Sequence, residues 1–252
     1  MIILPDIHGR NFWRQACQEN PTEDILFLGD YVDPYPSEGI GPKEVIQNLK
    51  DILQFKREHP DNVTLLLGNH DFSYLTKYME CCRHDRKNAS DIQKLLNANI
   101  PLFDLCATRK IGATTYLFTH AGVLEDWLGD YPDLSHDPVV FSEQMNAKLH
   151  APNYLDQVLP YLAVVSRARG GYHTTASPVW ADLSDHANIS QVFPDTFQVF
   201  GHSQLVSDRP FSTRYWIDLD CRQAFRLTPD GQINLLYPPP PAEEEPEVEW
   251  MD

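Results

Sequence analysis

Short apolar runs alternate with amphipathic segments through the first hundred residues of the chain. Three of the runs have the length and character of buried strands: 1–4, 24–28 and 63–67. Two segments between them, 11–19 and 42–58, repeat apolar residues at helical spacing. Strands that are apolar throughout and separated by helices are typical of a parallel sheet that is covered on both faces.

The pattern changes in the second part of the chain. Helices are predicted at 72–79, 90–97, 138–149 and 154–165. A hairpin is predicted from 102–110 and 114–119, and later strands at 178–181, 196–200, 214–219, 222–227 and 232–237. An α/β beginning and a β-rich end together predict two packed sheets that are flanked by helices. No linker-like composition interrupts residues 1–237, so we predict one domain there.

The chain has 252 residues, with 36 acidic against 20 basic side chains and a formal net charge of −16. This charge disfavours binding to nucleic-acid backbones, which needs clustered lysine and arginine. No apolar run approaches the roughly 20 residues of a membrane span. Five cysteines without framework spacing are typical of reduced thiols. We therefore expect a cytoplasmic protein that binds neither membranes nor nucleic-acid backbones, with its oligomeric state left open.

Residues 238–252 differ in composition from the rest of the chain. Four consecutive prolines begin at Pro238, and the last ten residues hold six acidic side chains and no basic one. Proline runs are extended, and clustered acids repel one another. We expect an acidic, Pro/Glu-rich solvated tail, with a partner-binding segment as the alternative.

Potential metal ligands follow five of the predicted strands at the point where each strand ends: Asp6, His8, Asp30, Asn69, His120 and His202. Loops at the carboxyl ends of strands gather at one edge of an open α/β sheet, so we expect these side chains to meet. They are oxygen and imidazole donors without a thiolate, which suits Mn²⁺, Fe or Zn²⁺. Six donors are too many for one tetrahedral ion and about right for two ions that share a carboxylate.

Five short motifs contain these residues: Asp6-x-His8, Gly29-Asp30-x-x-Asp33, Gly68-Asn69-His70-Asp71, His120-Ala121-Gly122 and Gly201-His202. Together they resemble the motifs of the calcineurin-like metallophosphoesterases. Two stretches are similar in particular to the phosphoprotein phosphatase branch, the serine/threonine phosphatases. They are Leu-Gly-Asp-Tyr-Val-Asp at 28–33 and Trp-Ile-Asp-Leu-Asp-Cys at 216–221. The resemblance extends over about residues 1–237.

This resemblance implies a four-layer αββα sandwich of two mixed sheets, with the active site at the carboxyl ends of the strands. It also implies a dinuclear centre with Mn²⁺ as the favoured ion and Fe or Zn²⁺ as alternatives. The implied ligands are Asp6 and His8 on one ion, Asp30 as the bridge, and Asn69, His120 and His202 on the second ion. A metal-bridging hydroxide would attack phosphorus in line, and His70, oriented by Asp33, would protonate or stabilise the leaving oxygen.

The chain departs from the branch directly after Asp33. Pro34-Tyr35 stand where the branch has Arg-Gly, and that arginine ordinarily holds the substrate phosphate. Arg10 follows the first metal loop, and Arg169 lies in the glycine-rich sequence Ser-Arg-Ala-Arg-Gly-Gly. Because a guanidinium group matches a phosphoryl group geometrically, these two arginines are the candidates to replace the missing one.

We expect a dinuclear-metal phosphomonoesterase that resembles serine/threonine protein phosphatases and acts on a phosphoprotein or a small phosphate ester. A nucleotide or dinucleoside polyphosphate hydrolase, of the Ap4A type, uses the same centre, and the missing arginine keeps it open. A nuclease is less favoured, because the last motif lacks a second histidine. A protein-binding scaffold on the same fold is the alternative from another class. The segment 74–100, inserted after the Asn-His motif, is a candidate roof over the site.

Overall fold

The structure, a computed structural model, describes residues 1–187, 191–205, 209–220 and 222–237. The predicted tail at 238–252 lies outside the described residues, and so does Cys221. The four cysteines within them, Cys17, Cys81, Cys82 and Cys106, are unpaired thiols. No helix in these ranges is long and apolar enough to cross a membrane.

The secondary structure largely follows the predicted order of elements. The strands are β1 (Ile2–Leu4), β2 (Ile25–Phe27), β3 (Val63–Leu66), β4 (Phe103–Asp104), β5 (Ala107–Ile111), β6 (Thr114–Phe118), β7 (Thr196–Phe200), β8 (Phe211–Ser212), β9 (Trp216–Asp218), β10 (Phe225–Leu227) and β11 (Ile233–Leu235). The α-helices are α1 (Phe12–Glu19), α2 (Pro42–Glu58), α3 (Asn69–Leu75), α4 (Ala89–Asn97), α5 (Glu125–Gly129), α6 (Pro138–Leu149) and α7 (Tyr154–Leu162). The ends of α2 and β7 are as predicted, several other strands are shorter than predicted, and α5 and β8 were not anticipated.

These strands form two mixed sheets. The first has the order β11-β10-β1-β2-β3-β4, in which β1 to β4 run parallel and β10 is antiparallel to β1 and β11. The second has the order β5-β6-β7-β9-β8, in which β6, β7 and β9 run parallel and the two edge strands are antiparallel. The parallel arrangement predicted for the first three strands is therefore confirmed.

The two sheets pack face to face. Because successive side chains of a strand point to opposite faces, Ile3 of β1 lies in a different hydrophobic cluster from its neighbours Ile2 and Leu4. The cluster of Ile3 fills the layer between the sheets and draws on both: Leu26, Leu66 and Phe225 come from the first sheet, and Phe118, Val199 and Ile217 from the second. Ile2 and Leu4 face the helices and share a cluster with Trp13 of α1 and Leu49 of α2.

Helices also cover the outer face of the second sheet. Leu117 of β6 points away from its neighbour Phe118 and belongs, with Trp127 of α5 and Phe141 of α6, to the helix-facing cluster. The rings of Trp127 and Phe141 meet edge to face, with centroids 6.3 Å apart. Two mixed sheets flanked by helices are thus confirmed as the fold class, and the layers run helix, sheet, sheet, helix.

The segment 102–110 is predicted as one strand and is in fact two. Phe103–Asp104 pairs with the first sheet, whereas Ala107–Ile111 pairs with the second. The chain crosses between the sheets at Leu105 and Cys106, whose backbone N–H groups donate to the side-chain oxygen of Asn146 at 2.8 Å and 3.1 Å. That amide satisfies two donors that leave the sheet, so the strand can end there.

The helix predicted at 72–79 begins and ends earlier, as α3. It begins at Asn69 because the carboxylate of Asp71 accepts the backbone N–H of Gly68 at 2.9 Å, which satisfies a donor at the start of the helix. It ends before Thr76, whose backbone is extended.

The strand predicted at 178–181 is a turn. The backbone N–H groups of Trp180 and Ala181 both donate to the Ser177 carbonyl, at 2.9 Å and 3.0 Å, and so are not available for pairing with a strand. The N–H of Ser177 donates to the carbonyl of Val164 at 3.0 Å. This contact holds the chain after α7 in a loop, and the helix therefore stops before the predicted residue 165.

Truncation of Phe118, which is fully buried between the sheets, should lower the free energy of unfolding by about 3–5 kcal/mol in a Phe118→Ala variant. The matched change Phe211→Ala, at a side chain on edge strand β8 that is 50% exposed, should cost less than about 1 kcal/mol. Urea unfolding measures both. If both variants lost the same free energy of unfolding, the packing of the two sheets against each other at Phe118 would be contradicted.

Candidate metal centre

The six predicted metal ligands lie at the edge where the strands end. Loops that follow β1, β2, β6 and β7 supply Asp6, His8, Asp30, His120 and His202, and Asn69 is the first residue of α3, which follows β3. All six side chains are buried. The structure therefore brings the whole set together from positions spread across two hundred residues of chain.

Four residues of this edge have a left-handed backbone conformation although none is glycine: His8, Asp30, Asp33 and His202, with φ of 44°, 52°, 59° and 72°. Each such residue costs on the order of 1–3 kcal/mol. Hydrogen bonds between the loops hold the conformation. The His8 N–H donates to the Asp30 carbonyl at 2.6 Å, and the carboxylate of Asp71 accepts the N–H groups of Asp30 and Tyr31 at 2.8 Å and 3.0 Å.

Backbone carbonyls orient the imidazoles of His8 and His120. Nδ1 of His8 lies 2.7 Å from the Val32 carbonyl oxygen, and Nδ1 of His120 lies 2.9 Å from that of Leu28. A carbonyl oxygen only accepts, so each Nδ1 carries the proton and each Nε2 keeps a lone pair. Both Nε2 atoms face the same oxygen, Oδ2 of Asp30, at 3.6 Å and 3.5 Å. Convergent lone pairs around a carboxylate oxygen form a donor set for a cation.

Asp30 is shared by two groups of potential ligands. One group contains His8 and His70, the other contains His120 and His202, and the ligand atoms of each group lie within 4.8 Å of one another. Oδ1 of Asp30 accepts the backbone N–H of His70 at 2.9 Å, which orients the carboxylate. A carboxylate common to two groups has the geometry of a bridging ligand. His70 lies close enough to join the first group, although the resemblance assigns it an acid role.

Asp6 and Asn69 lie beside these groups. Oδ1 of Asp6 accepts the backbone N–H of His202 at 3.0 Å, and its Oδ2 lies 3.9 Å from Nε2 of His8. Oδ1 of Asn69 and Nδ1 of His202 lie 3.0 Å and 3.2 Å from Nε2 of His120. The buried Nε2 of His202 has no hydrogen-bond partner among the described residues. Because buried polar atoms are nearly always satisfied, this orphaned nitrogen among other donors fits a divalent metal ion.

Burial sets the protonation of the three histidines that are predicted as metal ligands. It lowers the pKa of His8 and His202 well below the usual value of an imidazole, and it lowers the pKa of His120 as well. These rings are therefore neutral at pH 7 and keep their lone pairs. Burial also raises the pKa of the Asp30 carboxyl well above its usual value. A bound cation would oppose that effect, because it stabilises the ionised carboxylate.

His70 and Asp33 form a hydrogen-bonded pair next to the donor set. Nδ1 of His70 lies 2.7 Å from Oδ2 of Asp33, and the hydroxyl of Tyr74 donates to Oδ1 of the same carboxylate. Burial disfavours the charged imidazole, but the charge of Asp30 and the hydrogen bond with Asp33 outweigh it and raise the pKa of His70 to about 10. The raised pKa favours the protonated ring, whose donatable proton then lies on Nε2.

The two arginines predicted to bind phosphate are each engaged by a carboxylate. Arg10 donates from Nε to Glu38 at 2.8 Å. Nε of Arg169 lies 2.6 Å from Oδ2 of Asp182, and its Nη2 donates at 2.9 Å to the hydroxyl of Ser203, which directly follows His202 in the chain. Both charges are thus partly compensated within the protein.

A third arginine, Arg83, approaches the donor set directly and was missed by the sequence analysis. Its Nη2 lies 3.3 Å from Nε2 of His8 and 3.3 Å from Nε2 of His70, and its Nε donates to the Asp33 carbonyl at 3.0 Å. Arg83 belongs to the segment 74–100, the candidate roof. The length of that insertion was the one signal in the sequence, since no motif surrounds this arginine.

Comparison with known proteins places these observations in a family. The calcineurin-like phosphoesterase family model matches residues 3–204. The structure is similar to a cold-active protein-tyrosine phosphatase of a psychrophilic Shewanella species, with 17% sequence identity, a TM-score of 0.54, and coverage of 94% of this chain and 80% of that chain. It is also similar to a protein serine/threonine phosphatase from Saccharomyces cerevisiae with similarity to human phosphatase PP5. That match has 15% identity, a TM-score of 0.51, and coverage of 98% and 81%.

A side chain at position 68 should disrupt the metal centre by steric overlap with the Asp30 carboxylate. A Cβ at this position would lie 2.1 Å from Oδ1 of Asp30, so Gly68→Ala must displace the carboxylate. We expect Mn²⁺ affinity, measured by equilibrium dialysis, to fall about 10- to 100-fold.

The matched control for this substitution is Gly129→Ala, where nothing lies within 4 Å of the added Cβ. It should leave Mn²⁺ affinity unchanged. If Mn²⁺ affinity were also unchanged in Gly68→Ala, the role of the Asp30 carboxylate as the ligand shared by both groups would be contradicted.

Proposed function

The chain belongs to the calcineurin-like phosphoesterase family and is a metal-dependent phosphatase, and from this premise we propose that it is a phosphomonoesterase resembling the serine/threonine protein phosphatases. The observation that carries the proposal is the buried Asp30 carboxylate, whose Oδ2 is shared by the Nε2 atoms of His8 and His120 at 3.6 Å and 3.5 Å. The pair of His70 and Asp33 lies beside it. A cation-binding donor set next to a protonated imidazole supports attack by water and protonation of a leaving oxygen.

We assign two divalent ions to this donor set. Asp6 and His8 would hold one ion, Asn69, His120 and His202 the other, with Asp30 shared by both. The donors are oxygens and imidazoles, which supports Mn²⁺ first and Fe or Zn²⁺ as alternatives. When bound, such ions act as Lewis acids and lower the pKa of coordinated water.

His70 is the proposed proton donor. Its Nδ1 donates to Asp33, so the imidazole ring is oriented and the proton that it gives to the leaving oxygen is the one on Nε2. Asp33 also favours the protonated ring electrostatically. The hydroxyl of Tyr74 occupies the other oxygen of that carboxylate and keeps it in position.

The proposed substrates are phosphoproteins or small phosphate esters. The sequence Gly-Asp-Tyr-Val-Asp at 29–33, which resembles the serine/threonine phosphatase branch, supports this substrate class. Two solved structures of similar fold, a protein-tyrosine phosphatase and a protein serine/threonine phosphatase, also support it. We further propose a cytoplasmic location, which the unpaired cysteines support.

A nucleotide or dinucleoside polyphosphate hydrolase is the second candidate. The ring of Tyr35, whose centroid lies 5.5 Å from that of the His8 ring, is surrounded by three guanidinium groups. The Cζ atoms of Arg10, Arg83 and Arg222 lie 5.5, 3.9 and 5.2 Å from its centroid. Several cations around one ring would suit a chain of phosphates. The scaffold alternative is set aside, because the family is one of enzymes.

A substrate panel tests the proposal. The Mn²⁺-loaded chain is assayed with an aryl phosphate, with peptides that carry phosphoserine, phosphothreonine or phosphotyrosine, and with diadenosine tetraphosphate. We expect hydrolysis of the aryl phosphate and of at least one phosphopeptide, lost with EDTA and restored by added Mn²⁺. Fastest turnover of the dinucleotide would favour the second candidate, and no metal-dependent turnover of any compound would contradict both.

Replacement of His70 tests the acid role. His70→Asn should lower kcat by about 10²- to 10⁴-fold, because it removes the proton donor, while leaving bound Mn²⁺ unchanged. His136→Asn, at an exposed position, is the control and should retain full activity. Loss of Mn²⁺ from the His70 variant would instead make this histidine a ligand of the first group, and unchanged turnover would exclude the acid role.

A further inference from the structure

Three arginines close to the donor set differ in what compensates their charge. Arg10 lies 2.8 Å from Glu38, and Arg169 lies 2.6 Å from Asp182. Arg83 forms no ion pair with any carboxylate in the part of the chain that the structure describes, and its polar contacts are to a carbonyl, a thiol and two imidazoles. The positive charge of Arg83 is therefore available to interact with an anionic ligand.

The guanidinium of Arg83 is directed into the site. Its Nη2 lies 3.3 Å from Nε2 of both His8 and His70, and the hydrogen bond from Nε to the Asp33 carbonyl at 3.0 Å fixes the plane of the group. Neither imidazole nitrogen is a permanent acceptor, because Nε2 of His8 belongs to the donor set and Nε2 of His70 is the proposed proton donor. An oxyanion within hydrogen-bond reach of Nη2 of Arg83 and Nε2 of His70 would accept from both groups.

Tyr35 supports this guanidinium. The Cζ atom of Arg83 lies 3.9 Å from the centroid of the Tyr35 ring, at cation–π distance. Tyr35 belongs to the Pro-Tyr pair that stands where the serine/threonine phosphatase branch has Arg-Gly. The replacement of Arg-Gly by Pro-Tyr therefore removes one guanidinium group and supplies the aromatic ring against which the Arg83 guanidinium packs.

The segment that carries Arg83, which we term the Arg83 loop (residues 81–85), is attached to the site on both sides. The thiol of Cys81 accepts from Nδ2 of Asn69 and donates to the carbonyl of the same residue, both at 3.2 Å. On the other side, His84 stacks on Tyr74 with ring centroids 4.1 Å apart. Arg83 itself has φ of 63°, which a non-glycine residue adopts only when its surroundings require it. The guanidinium is thus held in place before any ligand binds.

We infer that Arg83 binds the phosphoryl group that is hydrolysed and takes the part of the arginine missing after Asp33. The inference rests on the proposed function, since it takes a phosphate monoester and its inorganic phosphate product as the ligands. A guanidinium offers N–H donors in a fork that matches a tetrahedral oxyanion. Arg83 would approach this group from the side of His8 and His70, and Arg169 from the side of His202.

Direct binding of inorganic phosphate to the Mn²⁺-loaded full chain tests the inference, measured by calorimetry together with the Mn²⁺ content of each variant. The variant is Arg83→Asn, because asparagine tolerates a left-handed backbone and lacks the charge. We expect its phosphate affinity to fall about 10- to 100-fold with Mn²⁺ content unchanged. Arg83→Lys, which keeps the charge without the fork, should recover part of the loss.

The control is Arg86→Asn, one residue beyond the Arg83 loop. The Arg86 side chain is exposed and bonded to Glu80, so its loss should leave phosphate affinity unchanged. Wild-type affinity in Arg83→Asn would overturn the inference, and so would a loss of Mn²⁺ from that variant, because Arg83 would then shape the metal centre instead. If the wild-type chain hydrolyses no compound of the panel while Arg83→Asn still loses phosphate affinity, the proposed function fails and the binding role of Arg83 stands.

Discussion

The buried carboxylate of Asp30 is the constraint on which the rest of the centre depends. It is common to both groups of donors, and Nε2 of His8 and of His120 face the same one of its oxygens. A carboxylate withdrawn from water costs several kcal/mol unless opposite charge compensates it, and the nearby Asp6 adds repulsion. Bound metal ions would supply that compensation. Metal binding and the stability of this edge of the fold would then be linked, because the same ions would offset the cost of gathering the acids.

The Asp30 carboxylate lies where the turns that follow β2 and β3 come into close contact. Gly29 has φ of 112°, and a Cβ there would lie 2.5 Å from the backbone nitrogen of Gly68, so neither turn could approach the other with a side chain in between. The carboxylate of Asp71 then accepts the N–H groups of Gly68, Asp30 and Tyr31. One buried side chain thus ties the turn after β2 to the start of α3. These contacts stabilise the loops and so offset the cost of the left-handed backbone conformations of the site residues.

The charge of the whole chain says little about the charge of the site. A formal charge of −16 looks unfavourable for an anionic substrate. Locally, however, the carboxylates of Asp6 and Asp30 would be neutralised by divalent ions, while the Arg83 guanidinium and the protonated His70 face the same space. The electrostatics that a phosphate group meets are those of a few buried groups within several ångströms, because solvent and counterions screen the acidic surface beyond that distance.

The sequence alone was enough to predict the fold class and the six positions that converge at the strand ends. Both follow from local features: apolar runs that alternate with helical segments, and a ligand-type residue where each run stops. Once parallel strands form, their carboxyl ends share an edge, so residues such as Asp6 and His120 meet without further information. The division of 102–110 between two sheets and the position of Arg83 could not be predicted in this way. The first depends on Asn146 of a distant helix, and the second on contacts with His8, which lies 75 residues away in the chain. Such contacts form only when separate elements pack together, and no local pattern encodes them.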